Sequence, residues 1–346
     1  MPLAKSRDVL LDAMKGMAIL LVVLGHSIQS YYLEFDNNLW FRVIYSFHMP
    51  LFMFLSGWVS FYSSRTDVLD FFVSRSQRLV LPFVAWYLFS YIFNGGVVSG
   101  GLVIYIKTLL ISPDAGLWFL WVLFLCQVIL YFCLRLAAKV ARTERALLII
   151  VAVAIVLVNA AKFHGAGVDL LKEYLIYFMS GYLLSRHKEV YASWSIWVLS
   201  PCVLAFPLLV QFWHRTSGPQ FPLTVLELIG RGRLFRMIES GYLVATAMAG
   251  IGFTFMVVWL LISCSHRIGR PLGFLGARTL DIYAIHFYFV AVVGFGIGWQ
   301  RSITAFFVSL ILTLAVSWLM RKSEFLKFVF LGERTRRPKL LPFAER

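Results

Sequence analysis

The chain has 346 residues, of which 60% are hydrophobic and 14% charged, and it carries a net charge of +15 with a mean hydropathy of +0.80. A soluble domain holds about 45–50% apolar and about 25% charged residues, so a soluble globular protein is excluded; lipid can cover this much apolar surface where a soluble core cannot. The excess of base would suit nucleic acid, but its placement along the chain explains it otherwise, and no nucleic-acid partner is expected.

Apolar runs near the roughly 20 residues that span a bilayer predict an all-α integral membrane protein, a bundle of about ten transmembrane helices. In chain order they are Leu10–Tyr31, Phe41–Tyr62, Leu79–Val98, Leu117–Leu136, Ala146–Ala161, Leu170–Leu184, Trp194–Trp213, Gly241–Cys264, Thr279–Gly298 and Ile303–Met320. The first follows Lys5 and Arg7 as a signal peptide would, yet Asp12 and Lys15 interrupt it and no small-x-small cleavage site follows; it reads as a retained helix. Cys126, Cys133, Cys202 and Cys264 fall inside apolar runs without metal-ligand spacing, so they read as small buried hydrophobes and no metal is expected. The longest link, His214 to Ser240, has 27 residues. No soluble domain is therefore predicted, and residues 1–346 read as one polytopic membrane domain with a basic tail from about 321 to 346.

Ten spans put both termini on one side. With the N-terminus cytoplasmic, 23 of the 32 Lys and Arg fall on the inner side and 9 on the outer. Basic residues concentrate on the cytoplasmic side of membrane proteins, so both termini are expected there. The bilayer accounts for most of the charge.

The first helix carries the chemistry-bearing residues Asp12, Lys15 and His26. Ionisable groups inside a span are costly and mark functional sites. Lys15 and His26 are eleven residues apart, which leaves them about 20° from the same face and about 16 Å apart along the axis. The stripe Asp12, Lys15, Ile19, Val22, His26 should face the bundle interior, although Asp12 is also accounted for by pairing with Lys15. On the second helix, which runs the other way, His48 falls at a depth similar to His26, so that one imidazole can act while the other orients it or binds the acceptor. His286 lies about 11 Å into the ninth helix, where packing and participation are both open. At the start of the third helix Arg75 and Arg78 stand side by side at i and i+3. They suit phosphate groups, and they also suit simple anchoring of the helix.

Five segments in order, Lys15-Gly-Met-Ala-Ile-Leu-Leu-Val-Val-Leu-Gly-His26, Phe47-His-Met-Pro-Leu-Phe-Met-Phe-Leu-Ser-Gly57, Arg75-Ser-Gln-Arg78-Leu-Val-Leu-Pro82, Leu117-Trp-Phe-Leu120 and Thr279-Leu-Asp-Ile-Tyr-Ala-Ile-His286, resemble the membrane-bound O-acyltransferases of acyltransferase family 3. Many members carry Arg where this chain has Lys15, and the Asp-x-x-Lys-Gly form resembles the subgroup named for fucose 4-O-acetylases. The resemblance implies that His26 is catalytic, that Lys15 is the basic residue below it, and that Arg75 and Arg78 receive acyl-CoA, with acetyl-CoA as the expected donor. It also implies an acceptor that is a surface glycan or its lipid-linked precursor, residence in the inner cell membrane of a bacterium, and possible partners in a polysaccharide-assembly complex or a homo-oligomer. Some relatives append a soluble hydrolase-like domain, which is not expected here.

In chemical terms, a neutral imidazole at His26 can take the proton of an attacking hydroxyl, or it can first accept the acyl group itself. Arg231 and Arg233, with Arg215 and Arg236 in the same outer link, run against the charge rule and suggest contact with an anionic glycan or a lipid-linked diphosphate. A proton-coupled transporter or flippase of lipid-linked sugars would also use intramembrane His and Lys, but the inverted repeats common in transporters are not evident. A non-catalytic subunit of a polysaccharide-assembly complex is the other alternative.

Overall fold

The computed structural model describes residues 9–61, 67–93, 101–113, 117–141, 143–187, 195–222 and 232–333, and among them there are helices but no strand. The helices are α1 (Val9–Tyr31), α2 (Leu39–Tyr45), α3 (His48–Ser60), α4 (Val68–Arg75), α5 (Leu81–Phe93), α6 (Gly101–Ile111), α7 (Trp118–Val140) and α8 (Glu144–Ala160). They continue with α9 (Val168–Arg186), α10 (Ser195–Leu209), α11 (Arg233–Cys264), α12 (His266–Gly276), α13 (Thr279–Ile285), α14 (Phe287–Val290), α15 (Trp299–Met320) and α16 (Glu324–Leu331). Five stretches, Val9–Tyr31, Leu39–Ser60, Trp118–Val140, Arg233–Cys264 and Trp299–Met320, are long and apolar enough to cross a bilayer. Exposed Ile149, Val153, Val156 and Leu157 on α8, and Phe307, Ile311 and Trp318 on α15, form the apolar outer surface that lipid would cover. The chain is a multi-pass helical membrane protein.

Every expected span contains helix, but several differ from the unbroken rods that hydropathy suggests. The second pauses at Ser46–Phe47. Pro50 in the first turn of α3 lacks an amide hydrogen and would crowd the carbonyl four residues back, so the helix restarts at His48. The third begins at Val68, well before Leu79, and passes through a π-helical stretch at Ser76–Val80. Such insertions are frequent at functional sites. The ninth breaks at His286 and ends at Val290. The eighth starts at Arg233, so the link before it is shorter than expected.

At the centre, α1 touches α2, α3, α11, α12, α13, α14 and α15. On its inward stripe Ile19 and Val22 are both 0% exposed, while Asp12, Lys15 and His26 are partly exposed. Association inside lipid gains little from the hydrophobic effect and depends on close packing through small residues. Two crossings show this. A Cβ on Gly57 of α3 would lie 1.9 Å from the Phe178 carbonyl oxygen, and one on Gly181 of α9 would lie 1.9 Å from that of Phe54. Likewise a Cβ on Gly16 of α1 would stand 2.0 Å from the Leu272 carbonyl oxygen of α12. These contacts lock α1 and α3 in place, and α1 and α3 hold the imidazoles.

Candidate active site

Three histidines converge where the broken helices meet α1. The His26 ring lies 5.4 Å from that of His286 and 4.5 Å from Phe287, while Tyr45 stands 5.9 Å from His26 and 4.6 Å from His48. His48 is 3% exposed and His286 0%. The ring nitrogens follow one pattern. Nδ1 of His48 is 3.0 Å from the Ile44 carbonyl, and Nδ1 of His286 is 2.8 Å from the Ile282 carbonyl. A carbonyl only accepts, so both Nδ1 atoms carry the proton and both Nε2 atoms present lone pairs. Nε2 of His286 is buried without a hydrogen-bond partner.

His26 reaches the same tautomer by a different route. The Tyr45 hydroxyl donates to Gln29 Oε1 at 2.5 Å and also lies 3.1 Å from His26 Nδ1. Its single hydrogen is committed to Gln29, so Nδ1–H of His26 must donate to the Tyr45 oxygen. Nε2 is left as the free base. Gln29 and Tyr45 were not singled out from sequence; a polar residue three positions after His26 and a tyrosine three before His48 were the available signals.

His26, Tyr45 and His48 line a cavity of about 1240 Å³ at one end of the bundle, together with Glu173 of α9 and Arg215. Arg215 lies on the segment between α10 and α11, with its guanidinium 4.9 Å above the Tyr45 ring. Asp36 fastens this segment. It accepts from the Arg215 amide at 2.7 Å, from the Thr216 amide at 2.8 Å, and from the Thr216 hydroxyl. Partial burial would raise the Asp36 pKa, but these hydrogen bonds outweigh it and hold the carboxyl below its usual range. Arg42 adds a bond of 2.9 Å to the Gln211 carbonyl.

A second cavity of about 990 Å³ opens toward the other end of α1 and is lined by Asp12, Lys15, Arg75, Arg78, Asp281, Arg321 and Glu333. Asp12 and Lys15 are 3.6 Å apart. Arg321 grips Asp281 through both oxygens, at 2.7 and 3.0 Å, and reaches Glu333 at 2.6 Å. Ser317 also donates to Asp281. Sequence reading missed Arg321, although a buried Asp281 in an apolar helix demands a cationic partner. Met49 and Tyr283 line both cavities and form the partition between them.

The remaining expected site residues fall elsewhere. Arg233 is exposed at the first turn of α11 and lines neither cavity. Arg231 lies outside the described residues. No group of three or more His, Cys, Asp or Glu suited to a metal ion occurs among the described residues.

Comparison with known proteins identifies the family. The acyltransferase domain model of acyltransferase family 3 matches residues 8–322, and the chain belongs to that family. It is 25% identical over 355 residues to nodulation protein NolL of Sinorhizobium fredii (strain NBRC 101917 / NGR234), covering 95% of this chain and 93% of the relative. It is 24% identical over 359 residues to NolL of Mesorhizobium japonicum (strain LMG 29417 / CECT 9101 / MAFF 303099), covering 97% and 93%. No solved structure matches.

Proposed function

From membership of that acyltransferase family, we propose that the chain transfers an acetyl group from cytoplasmic acetyl-CoA to a hydroxyl of a surface glycan or its lipid-linked precursor. The observation that carries this reading is the pair of cavities divided by Met49 and Tyr283, one basic and one holding the His26 imidazole. Lys15, Arg75, Arg78 and Arg321 provide the charge for the phosphates of CoA, for which guanidinium groups are well matched. The partition is where the acyl end of the donor passes from one cavity to the other. About 16 Å of helix separates Lys15 from His26, a span that an extended pantetheine arm can cover.

The donor supplies a thioester carbonyl open to attack. His26 Nε2 takes the proton of the acceptor hydroxyl as its oxygen bonds to that carbon; the carbon–sulfur bond breaks, and the imidazolium returns the proton to the departing thiolate. A two-stage route through acyl-His26 uses the same atoms. Tyr45 and Gln29 hold the proton on Nδ1 throughout. In this reading about ten helices cross a bacterial inner membrane, both termini are cytoplasmic, and the His26 cavity faces outward. The chain acts alone, as a homo-oligomer or in a polysaccharide-assembly complex.

Acetyl-CoA turnover by the purified protein in nanodiscs, with a glycan acceptor supplied, tests the reading. Acetyl transfer that vanishes in His26→Ala is the expected result. A protein that moves lipid-linked sugar across the bilayer without consuming acetyl-CoA would instead be a flippase.

A further inference from the structure

We infer that the His26 cavity is a subsite for a neutral sugar, with Glu173 and Arg215 gripping its hydroxyl groups and aromatic rings covering its C–H faces. The inference rests on the proposed role of this cavity as the acceptor site and narrows the class of acceptor.

The charge balance of the cavity carries the argument. Its lining contains Asp169, Glu173, Glu239, Lys172 and Arg215. Lys172 pairs with Asp169 at 3.5 Å, which leaves Glu173 and Glu239 against Arg215. Apart from the histidines, the described residues of the site are therefore acidic on balance. Of the basic residues that had suggested an anionic acceptor, Arg215 lines the cavity and Arg233 does not, while Arg231 lies outside the described residues. A carboxylate, sulfate or phosphate placed beside Glu173 would meet like charge, an arrangement that selects against such ligands.

The shape and chemistry of the walls fit a sugar. Trp118, Tyr174, Tyr177, Trp213, Phe287 and Tyr288 contribute rings to the lining. Trp118 and Tyr174 lie 5.0 Å apart at 30° and make one broad aromatic wall. Tyr and Trp offer apolar faces with polar edges, which complement a pyranose whose faces are C–H and whose rim is hydroxyl. The volume of about 1240 Å³ accommodates more than a single sugar ring.

Specificity in such a cavity comes from a few placed polar groups. Glu173 and Arg215 both line the cavity, one a hydrogen-bond acceptor and the other a donor. Arg215 in turn lies over the ring of Tyr45, which packs against both His26 and His48. An acceptor hydroxyl can donate to Glu173 while a neighbouring one accepts from Arg215. This pair would fix which hydroxyl reaches His26 Nε2.

The full-length protein in nanodiscs, labelled and applied to an array of neutral oligosaccharides and their uronate or sulfated counterparts, tests the inference without requiring turnover. Neutral glycans should be retained about tenfold more tightly than acidic counterparts, Glu173→Gln should weaken that binding about tenfold, and Glu173→Lys should shift retention toward acidic glycans. Calorimetric titration with acetyl-CoA checks that each variant keeps the other cavity intact. Preference of the wild-type protein for acidic glycans, retention of none, or unchanged binding in Glu173→Gln would overturn the subsite. Neutral-glycan binding without acetyl-CoA turnover would sink the acyltransferase reading and leave the subsite standing. Acetylation of an acidic glycan alone would do the reverse.

Discussion

The Tyr45 hydroxyl sits 3.1 Å from Nδ1 of His26 while donating its hydrogen to Gln29, so the tautomer of the imidazole is set by a residue on a different helix. His26→Gln, which removes the base, should lower acetyl transfer by 10²-fold or more, the usual scale for general base catalysis. Tyr45→Phe keeps the ring but deletes the acceptor for Nδ1–H. Its kcat should fall by about tenfold with the KM for acetyl-CoA unchanged, because orientation is lost and donor contacts are not. Equal rates for Tyr45→Phe and wild type would remove Tyr45 from the mechanism, and full activity in His26→Gln would move the base to His48.

Arg75 and Arg78 lie on the α4 and π-helical stretch that borders the second cavity. Hydrogen bonds to charged groups contribute about 1.5–3 kcal/mol each, so Arg75→Ala or Arg78→Ala should raise the KM for acetyl-CoA about tenfold or more while leaving acceptor KM unchanged. Steady-state kinetics with each substrate varied separately decides it. A double variant with an unaltered donor KM would reduce both arginines to membrane anchors.

Much of this site could be read along α1 because helical period is regular. The spacing of Asp12, Lys15, Ile19, Val22 and His26 fixes one face without knowledge of any neighbour, and the buried Ile19 and Val22 lie on it. Partners brought by distant segments were harder to see. Asp281 and Arg321 are 40 residues apart in sequence, Asp36 and Thr216 are 180 apart, and no local pattern links either pair. Helix breaks were also missed, since hydropathy averages over residues and does not register the clash that Pro50 imposes. The outer arginines show the same limit: charge counts by side of the membrane, whereas a cavity admits individual side chains, here Arg215 and not Arg233.

Asp36 should control the seating of Arg215. Its carboxyl pKa is depressed by hydrogen bonds made only in the folded protein. The stabilisation is therefore complete above the unfolded value, near 3.9, and is lost as pH falls through the lower folded value. At neutral pH Asp36→Ala should raise acceptor KM several-fold through loss of the Arg215 and Thr216 anchors, roughly the effect of two or three ordinary hydrogen bonds. Donor KM should stay constant. An unchanged acceptor KM would show that the segment holds its place without Asp36.

The α3–α9 crossing should tolerate no side chain at Gly57. A methyl group there would overlap the Phe178 carbonyl, which belongs to backbone and cannot rotate away. Forcing the helices apart should cost about 1–3 kcal/mol or more and displace His48 at the start of α3. Gly57→Ala should lower the thermal unfolding midpoint in detergent, and Gly57→Val should lower it further. A midpoint equal to that of wild type would mean that the two helices can separate at little cost.

Asp281 is only 2% exposed and is held by Arg321. A buried ion pair adds little net stability, yet removing one partner strands the other charge at a cost of about 3–5 kcal/mol. Arg321→Met should therefore destabilise the protein strongly, because Ser317 alone cannot replace a bidentate guanidinium. The double variant Asp281→Asn/Arg321→Met should recover most of that loss, since no charge is left unmatched. Its donor KM should nevertheless remain raised if Arg321 also meets the phosphates of CoA. The two roles thus separate: thermal unfolding reports the pair, and donor kinetics report the phosphate contact. Recovery of stability and donor KM together would confine Arg321 to the ion pair, whereas recovery of neither would show that the stranded charge was not the cause of the instability.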